Sequence, residues 1–222
     1  MTILLGYFLT FLYIFLVMGL TALVSKWFHT DKEISRKMIH IGVSFSFFII
    51  YYFLGNTWHA CIPPFIFIIL NYVSYKKGLF QVMERSGKEE SPGTVYYALS
   101  MFLLAMISLM KENFLCSFGI GFFCMALGDG IAPIIGKRIS SHRFSNGKTI
   151  VGSICMCLIS MFVAIFFCYF YSYPIYISFV CMIGIASMIL EWLGTKGLDN
   201  LLVPIGVSFI SYGGMLMYGI IV

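Results

Sequence analysis

Asp129 stands in a run, Phe114 to Gly136, that holds no other charged side chain. Gly128 and Gly130 flank it, and Pro133 follows four residues on. An ionised carboxylate in hydrocarbon costs roughly 2.5–3.5 kcal/mol on insertion scales, so a functional reading is the default. Pro133 has no N–H, so the carbonyl of Asp129 is expected to lose its helical partner. The two glycines loosen the backbone on either side. A carboxylate and a freed carbonyl at one position suit a hard divalent cation such as Mg²⁺, and Asp129 is the first metal candidate. The competing reading is an aspartate bonded to a neighbouring helix.

Three further elements carry polar chemistry. The loop Gly136 to Thr149 gathers Lys137, Arg138, Arg143 and Lys148 with several hydroxyls. Lys148-Thr149 opens the next helix, and Gly152-Ser153 follow one turn later. Backbone N–H groups at a helix N-terminus, joined by a lysine, make an anion site. The spacing is not GxxxxGK[ST], so no Walker A loop is implied. In Arg36-Lys37-Met38-Ile39-His40, Arg36 and His40 are four apart and share a helix face. Glu191 lies near the end of another apolar run and is the second metal candidate. Asp199 or Asn200 is placed to cap the last helix.

The elements that must position these residues are membrane helices. The 222-residue chain is 60% hydrophobic and 10% charged, which no soluble domain of this size resembles. Apolar runs of spanning length give an all-α polytopic bundle of about eight transmembrane helices, at about 2–25, 38–54, 58–75, 93–110, 114–136, 149–171, 175–194 and 201–222. No cleavable signal peptide is evident, so the first run is a helix. Residues 1–222 form a single integral membrane domain. Its longer loops lie at about 26–37, 76–92, 137–148 and 195–200, and they hold thirteen of the fourteen Lys and Arg; only Lys111 lies in the other set. The positive-inside rule makes these loops cytosolic and places both termini on the non-cytosolic side. Segment 78–83 has the pattern of a short interfacial helix. The net charge of +5 then reflects topology and contact with anionic membrane lipids, not nucleic acid. The seven cysteines all fall in apolar spans without zinc spacing, as small core hydrophobes. Nothing in the sequence specifies an oligomeric state.

All four polar elements gather at the cytosolic ends of their helices. Oxygen ligands for a metal, cations for phosphate and a membrane-level cleft together suggest phosphoryl or nucleotidyl transfer to a lipid.

The ordered segments R-K-M-I-H-I-G at 36–42, G-T-V-Y-Y at 93–97, A-L-G-D-G-I-A at 126–132, G-K-T-I-V-G-S at 147–153 and L-D-N-L-L-V-P at 198–204 resemble the CTP-dependent polyprenol and lipid kinases. That group contains dolichol kinase, phytol kinase and the yeast-type CTP-dependent diacylglycerol kinase. The resemblance covers about 33–204. It implies transfer of the γ-phosphate of CTP, with a divalent cation, to a lipid alcohol at the cytosolic face. Asp129 would then sit at the metal and nucleotide, and Lys148 would hold phosphate, with Lys137 nearby. Arg36, Lys37 and His40 would complete the polar cleft, and Asp199-Asn200 its far wall. Gly128, Gly130, Thr149, Gly152 and Ser153 belong to the matched nucleotide-binding motifs. The chain departs from the usual K-T-x-E-G-S at Val151, where the kinases carry Glu, and Ser140 stands where a second glycine is usual. Glu191 or Asp199 could supply the missing carboxylate.

Two alternatives stay open. The related CDP-diacylglycerol synthases are lipid cytidylyltransferases, but they carry a C-terminal H-G-G-x-x-D-R-x-D-S signature that this chain lacks. A non-catalytic lipid-binding or transport protein on the same frame would use Asp129 for ion coupling. Gathering of the polar groups at one face argues against alternating access.

Overall fold

The first helix shows how this chain folds. Its buried residues are Gly6, Thr10, Ile14 and Thr21, one narrow stripe of mostly small or polar side chains, whereas Leu4, Phe8, Leu12, Leu16 and Leu20 are exposed. That is the arrangement of a helix solvated by lipid, where close backbone approach and hydrogen bonds make the protein interface. A Cβ on Gly6 would lie 2.7 Å from Leu54 and Phe53 side chains. The Tyr13 hydroxyl donates to the Gly42 carbonyl at 2.8 Å.

The structure, a computed structural model, describes residues 1–78, 91–144 and 147–221. Among them there is no strand, only an isolated antiparallel bridge between Arg143 and Thr149. The helices are α1 (Thr2–Phe28), α2 (Lys32–Ser44), α3 (Ser46–Phe53), α4 (Ile62–Lys77), α5 (Gly93–Met110), α6 (Phe114–Phe123), α7 (Gly130–Arg138), α8 (Ile150–Phe170), α9 (Ile177–Leu193) and α10 (Asp199–Met217). A 3₁₀ turn, Trp58–Cys61, precedes α4, and a π-helical turn, Cys124–Asp129, joins α6 to α7.

Six of the eight expected spans are continuous helical runs long and apolar enough to cross a membrane: Thr2–Phe28, Trp58–Lys77, Gly93–Met110, Phe114–Arg138, Ile150–Phe170 and Asp199–Met217. The protein is thus an all-helical, polytopic membrane protein. The seventh, α9, is apolar but 17 residues long. The eighth, expected at 38–54, begins earlier and is broken at Phe45 into α2 and α3. Residues 32–37, expected in a loop, are the first turns of α2. Glu33 occupies its first turn, and Ser35 bonds Ser25 at 2.6 Å and Thr30 at 2.9 Å. The expected interfacial helix at 78–83 lies, beyond Gly78, outside the described residues.

The helices cluster into two compact units, Met1–Met110 and Lys111–Val222. In the first, α1 packs on α2 and α3, and α4 on α5. In the second, α6 is the central helix: Phe118, Ile120 and Phe122 are fully enclosed, with α8 and α10 packed on it. Gly121 allows the α10 contact, since a Cβ there would lie 2.3 Å from the Pro204 carbonyl oxygen.

Candidate functional site

Asp129 ends the π-helical turn and is buried. The sequence reading expects the backbone to loosen at Gly128 and Gly130 and the Asp129 carbonyl to lose its helical partner at Pro133. The structure puts the irregularity in a wide turn that includes Gly128 and ends at Asp129, and Pro133 lies inside a continuous α7. Single π turns recur at functional sites because they re-aim one side chain without ending the helix. Gly128 serves close packing, since a Cβ there would lie 2.3 Å from the Met156 sulfur. Gly130 is a buried residue at the start of α7. About nine residues of α7 beyond Asp129 place it roughly 13 Å inside that helix end.

The loop before α8 folds back as a short hairpin. Phe144 N–H donates to the Lys148 carbonyl at 2.8 Å, and Ile150 N–H to the His142 carbonyl at 3.2 Å. The first four N–H groups of α8, the open donors expected to bind an anion, are all occupied by the protein. Ile150 uses His142, Val151 uses Ser141 Oγ at 3.4 Å, Gly152 uses Thr149 Oγ1 at 3.1 Å and Ser153 uses the Thr149 carbonyl at 2.9 Å. Thr149 is therefore an N-cap, and anion binding at this loop rests on side chains. Gly136 and Gly152 pack α7 against α8: a Cβ on Gly136 would lie 2.3 Å from Thr149 Oγ1. Ser153 Oγ is buried with no hydrogen-bond partner among the described residues. Lys137 is exposed in the last turn of α7.

Lys148 and Glu191 meet. Lys148 Nζ lies 2.7 Å from Glu191 Oε1, with the two side chains only 19% and 10% exposed. The same ammonium donates to the Glu191 backbone carbonyl, so it also faces the C-terminal end of α9, where the helix dipole favours a cation. Val151 brings no carboxylate to this end of α8, and Glu191 faces the lysine from α9. Asp129 and Asp199 lie within electrostatic range of Glu191. One end of the second unit thus holds the Lys148–Glu191 pair with Asp129 and Asp199 in electrostatic range of its glutamate.

Asp199 and Asn200 are not caps as expected. Leu198 is the N-cap of α10 and Asp199 its first helical residue. Gly194 lets this turn close, since a Cβ there would meet Asp199 Cα at 2.7 Å. Asp199 Oδ1 accepts from the Asn200 N–H at 3.1 Å, and Asn200 Nδ2 donates to the Gly197 carbonyl at 3.2 Å. Asn200 Oδ1 is buried and receives no hydrogen bond among the described residues. A buried, unsatisfied oxygen beside carboxylates is a ready acceptor for a cation or a ligand donor. Among the described residues no three His, Cys, Asp or Glu side chains converge at metal-ligand distance.

In the first unit, Arg36 and Lys37 are buried, not facing headgroups as their basic character suggests. Arg36 bonds Glu33 at 2.8 Å, yet its Nε is buried without an acceptor among the described residues. His40 stacks on Tyr97 with ring centroids 4.4 Å apart, and Tyr97 Oη donates to the His40 carbonyl at 3.3 Å. Asn71, which the sequence reading passes over, donates to the Thr94 carbonyl at 3.0 Å. It is a polar side chain inside an apolar run, the signal that marks Asp129, in weaker form because it is uncharged.

Over 196 residues the chain is 31% identical to a phytol kinase of Synechocystis sp., covering 85% of this chain and 82% of that protein. It is 26% identical to a probable chloroplastic phytol kinase of Glycine max, over 82% of this chain and 67% of the relative. An uncharacterized protein of Methanocaldococcus jannaschii is 27% identical over 81% of this chain and 92% of its own length. No family model and no solved structure matches the chain.

Proposed function

The chain belongs to the polyprenol and lipid kinase family that includes the phytol kinases, and from that membership we propose that it transfers the γ-phosphate of CTP to a prenol-type alcohol at the cytosolic membrane face. The observation that carries this reading is the Lys148–Glu191 pair set among Asp129 and Asp199, within a chain similar along most of its length to a phytol kinase. A lysine held by a carboxylate beside further oxygen donors suits a polyphosphate and its cation. Phosphoryl transfer asks the protein chiefly for positioning and charge neutralisation.

In the transfer, the alcohol oxygen bonds to the γ-phosphorus. The bond from that phosphorus to the bridging oxygen breaks, and CDP leaves with the electron pair. The alcohol proton is released to solvent. Lys148 neutralises phosphate charge. A divalent cation, Mg²⁺ by its preference for oxygen, would be held by Asp129, Asp199 and Asn200 Oδ1, and Glu191 already faces Lys148. Few protein ligands suit Mg²⁺, which keeps waters and phosphate oxygens in its shell. When bound it supplies neutralisation of the charge on the transferred group. The thirteen basic residues in alternate stretches of the sequence between the apolar runs support the cytosolic placement.

The test is purified protein with γ-labelled CTP, ATP or GTP, Mg²⁺ and a panel of phytol, farnesol, dolichol and diacylglycerol. Label in a prenol lipid, with CTP the best donor, is the expected result. Lipid labelled only from α-labelled CTP indicates a cytidylyltransferase and overturns the kinase reading, as does the absence of any labelled lipid.

A further inference from the structure

The first unit contains a slot of its own. Helices α1 to α5 enclose about 560 Å³ of space there, counting its open mouth. Its lining is mostly apolar, Ile50, Pro63 and Met101 included, and the polar side chains His40, Ser46, Asn71 and Thr94 also border it. Thr94 to Met101 on α5 and His40 to Ile50 on α2–α3 give it a length of about 10–15 Å at 1.5 Å per residue.

Two independent observations mark it as built for a ligand. Ser46 is 1% exposed, and its hydroxyl has no hydrogen-bond partner among the described residues. An orphaned buried hydroxyl costs about 1–3 kcal/mol unless something satisfies it. Ser46 also directly follows the break at Phe45 that separates α2 from α3. Irregular backbone at membrane depth persists where it is covered by protein or lines a cavity, and this break borders the slot.

We propose that the slot holds the acceptor lipid alcohol, with its hydroxyl beside His40 and Ser46 and its hydrocarbon chain against Ile50, Pro63 and Met101. The assignment rests on the lipid-kinase reading for the identity of the ligand, and on the slot alone for its place. It makes Met101 a determinant of chain length and Ser46 a partner of the hydroxyl.

Photolabelling tests it without requiring turnover. The probes are a phytol analogue with a diazirine in its tail and the matching hydrocarbon without the hydroxyl, used with the full chain in nanodiscs. The expected label lies on α3, α4 and α5, is competed by phytol, and falls roughly tenfold or more in Met101→Trp, in line with the sensitivity of apolar pockets to a few methylenes. Ser46→Ala, which leaves the volume nearly unchanged, is expected to weaken labelling by the alcohol and not by the hydrocarbon. Label confined to the apolar groove of the second unit beside Ile154 and Trp192 overturns the proposal. So does label on the slot that neither substitution changes. Kinase activity with an unlabelled slot overturns the slot alone. A labelled slot without kinase activity supports the slot and overturns the proposed function.

Discussion

Replacing Lys148 by Met leaves the buried Glu191 carboxylate without its cation, with Asp129 and Asp199 in electrostatic range. At 2.7 Å the lost attraction is about 6 kcal/mol for an effective dielectric of about 20. Recovered desolvation of the lysine offsets part of it. Removing one partner of a buried pair costs about 3–5 kcal/mol, against about 0.2–1 kcal/mol for exposed pairs. With 19% of the lysine and 10% of the glutamate side chain exposed, the pair belongs near the lower end of the buried range, about 3 kcal/mol. Glu191→Gln keeps the shape and one acceptor for Lys148, so its own cost is smaller. The assay is a double-mutant cycle of Lys148→Met, Glu191→Gln and the double variant, followed by SDS-titrated unfolding in mild detergent. A coupling of about 2–3 kcal/mol is expected, in the range of groups that touch. Stability should return in the double variant while lipid phosphorylation stays lost, because the phosphate has lost its ammonium. A coupling below about 0.5 kcal/mol, typical of exposed pairs, would refute the reasoning, as would full activity in the double variant.

Asp129→Asn keeps the volume of the side chain and removes its charge; turnover should fall by about 10²–10³-fold, the scale of losing one electrostatic stabiliser, with normal membrane insertion by fractionation. Retained turnover removes Asp129 from the phosphate and metal chemistry. Gly136→Ala sets a methyl 2.3 Å from Thr149 Oγ1 and near Gly152. It should cost about 1–3 kcal/mol by overpacking, read by the same unfolding titration, with an unchanged midpoint as the contrary result.

The membrane class and most span limits were legible because hydrocarbon acts on the chain locally. Each run of apolar residues must satisfy its own backbone hydrogen bonds as a helix, so composition within a window of about 20 residues is enough. The break at Phe45 was not legible: it carries neither proline nor glycine and belongs to the packing of α1 against α2 and α3.

The sequence by itself singled out Asp129 and Glu191, because a charge among apolar neighbours is costly wherever the chain goes and so signals a purpose, Lys148 by its place at a helix start, and Asp199 as a cap candidate. Their partners were a tertiary matter. Lys148 and Glu191 are 43 residues apart, and their pairing depends on how the hairpin before α8 meets the end of α9. The occupied N–H groups of α8, the unsatisfied oxygen of Asn200 and the slot bordered by Ser46 likewise exist only once helices pack. Whether a buried polar group has a partner is decided by neighbours distant in the chain.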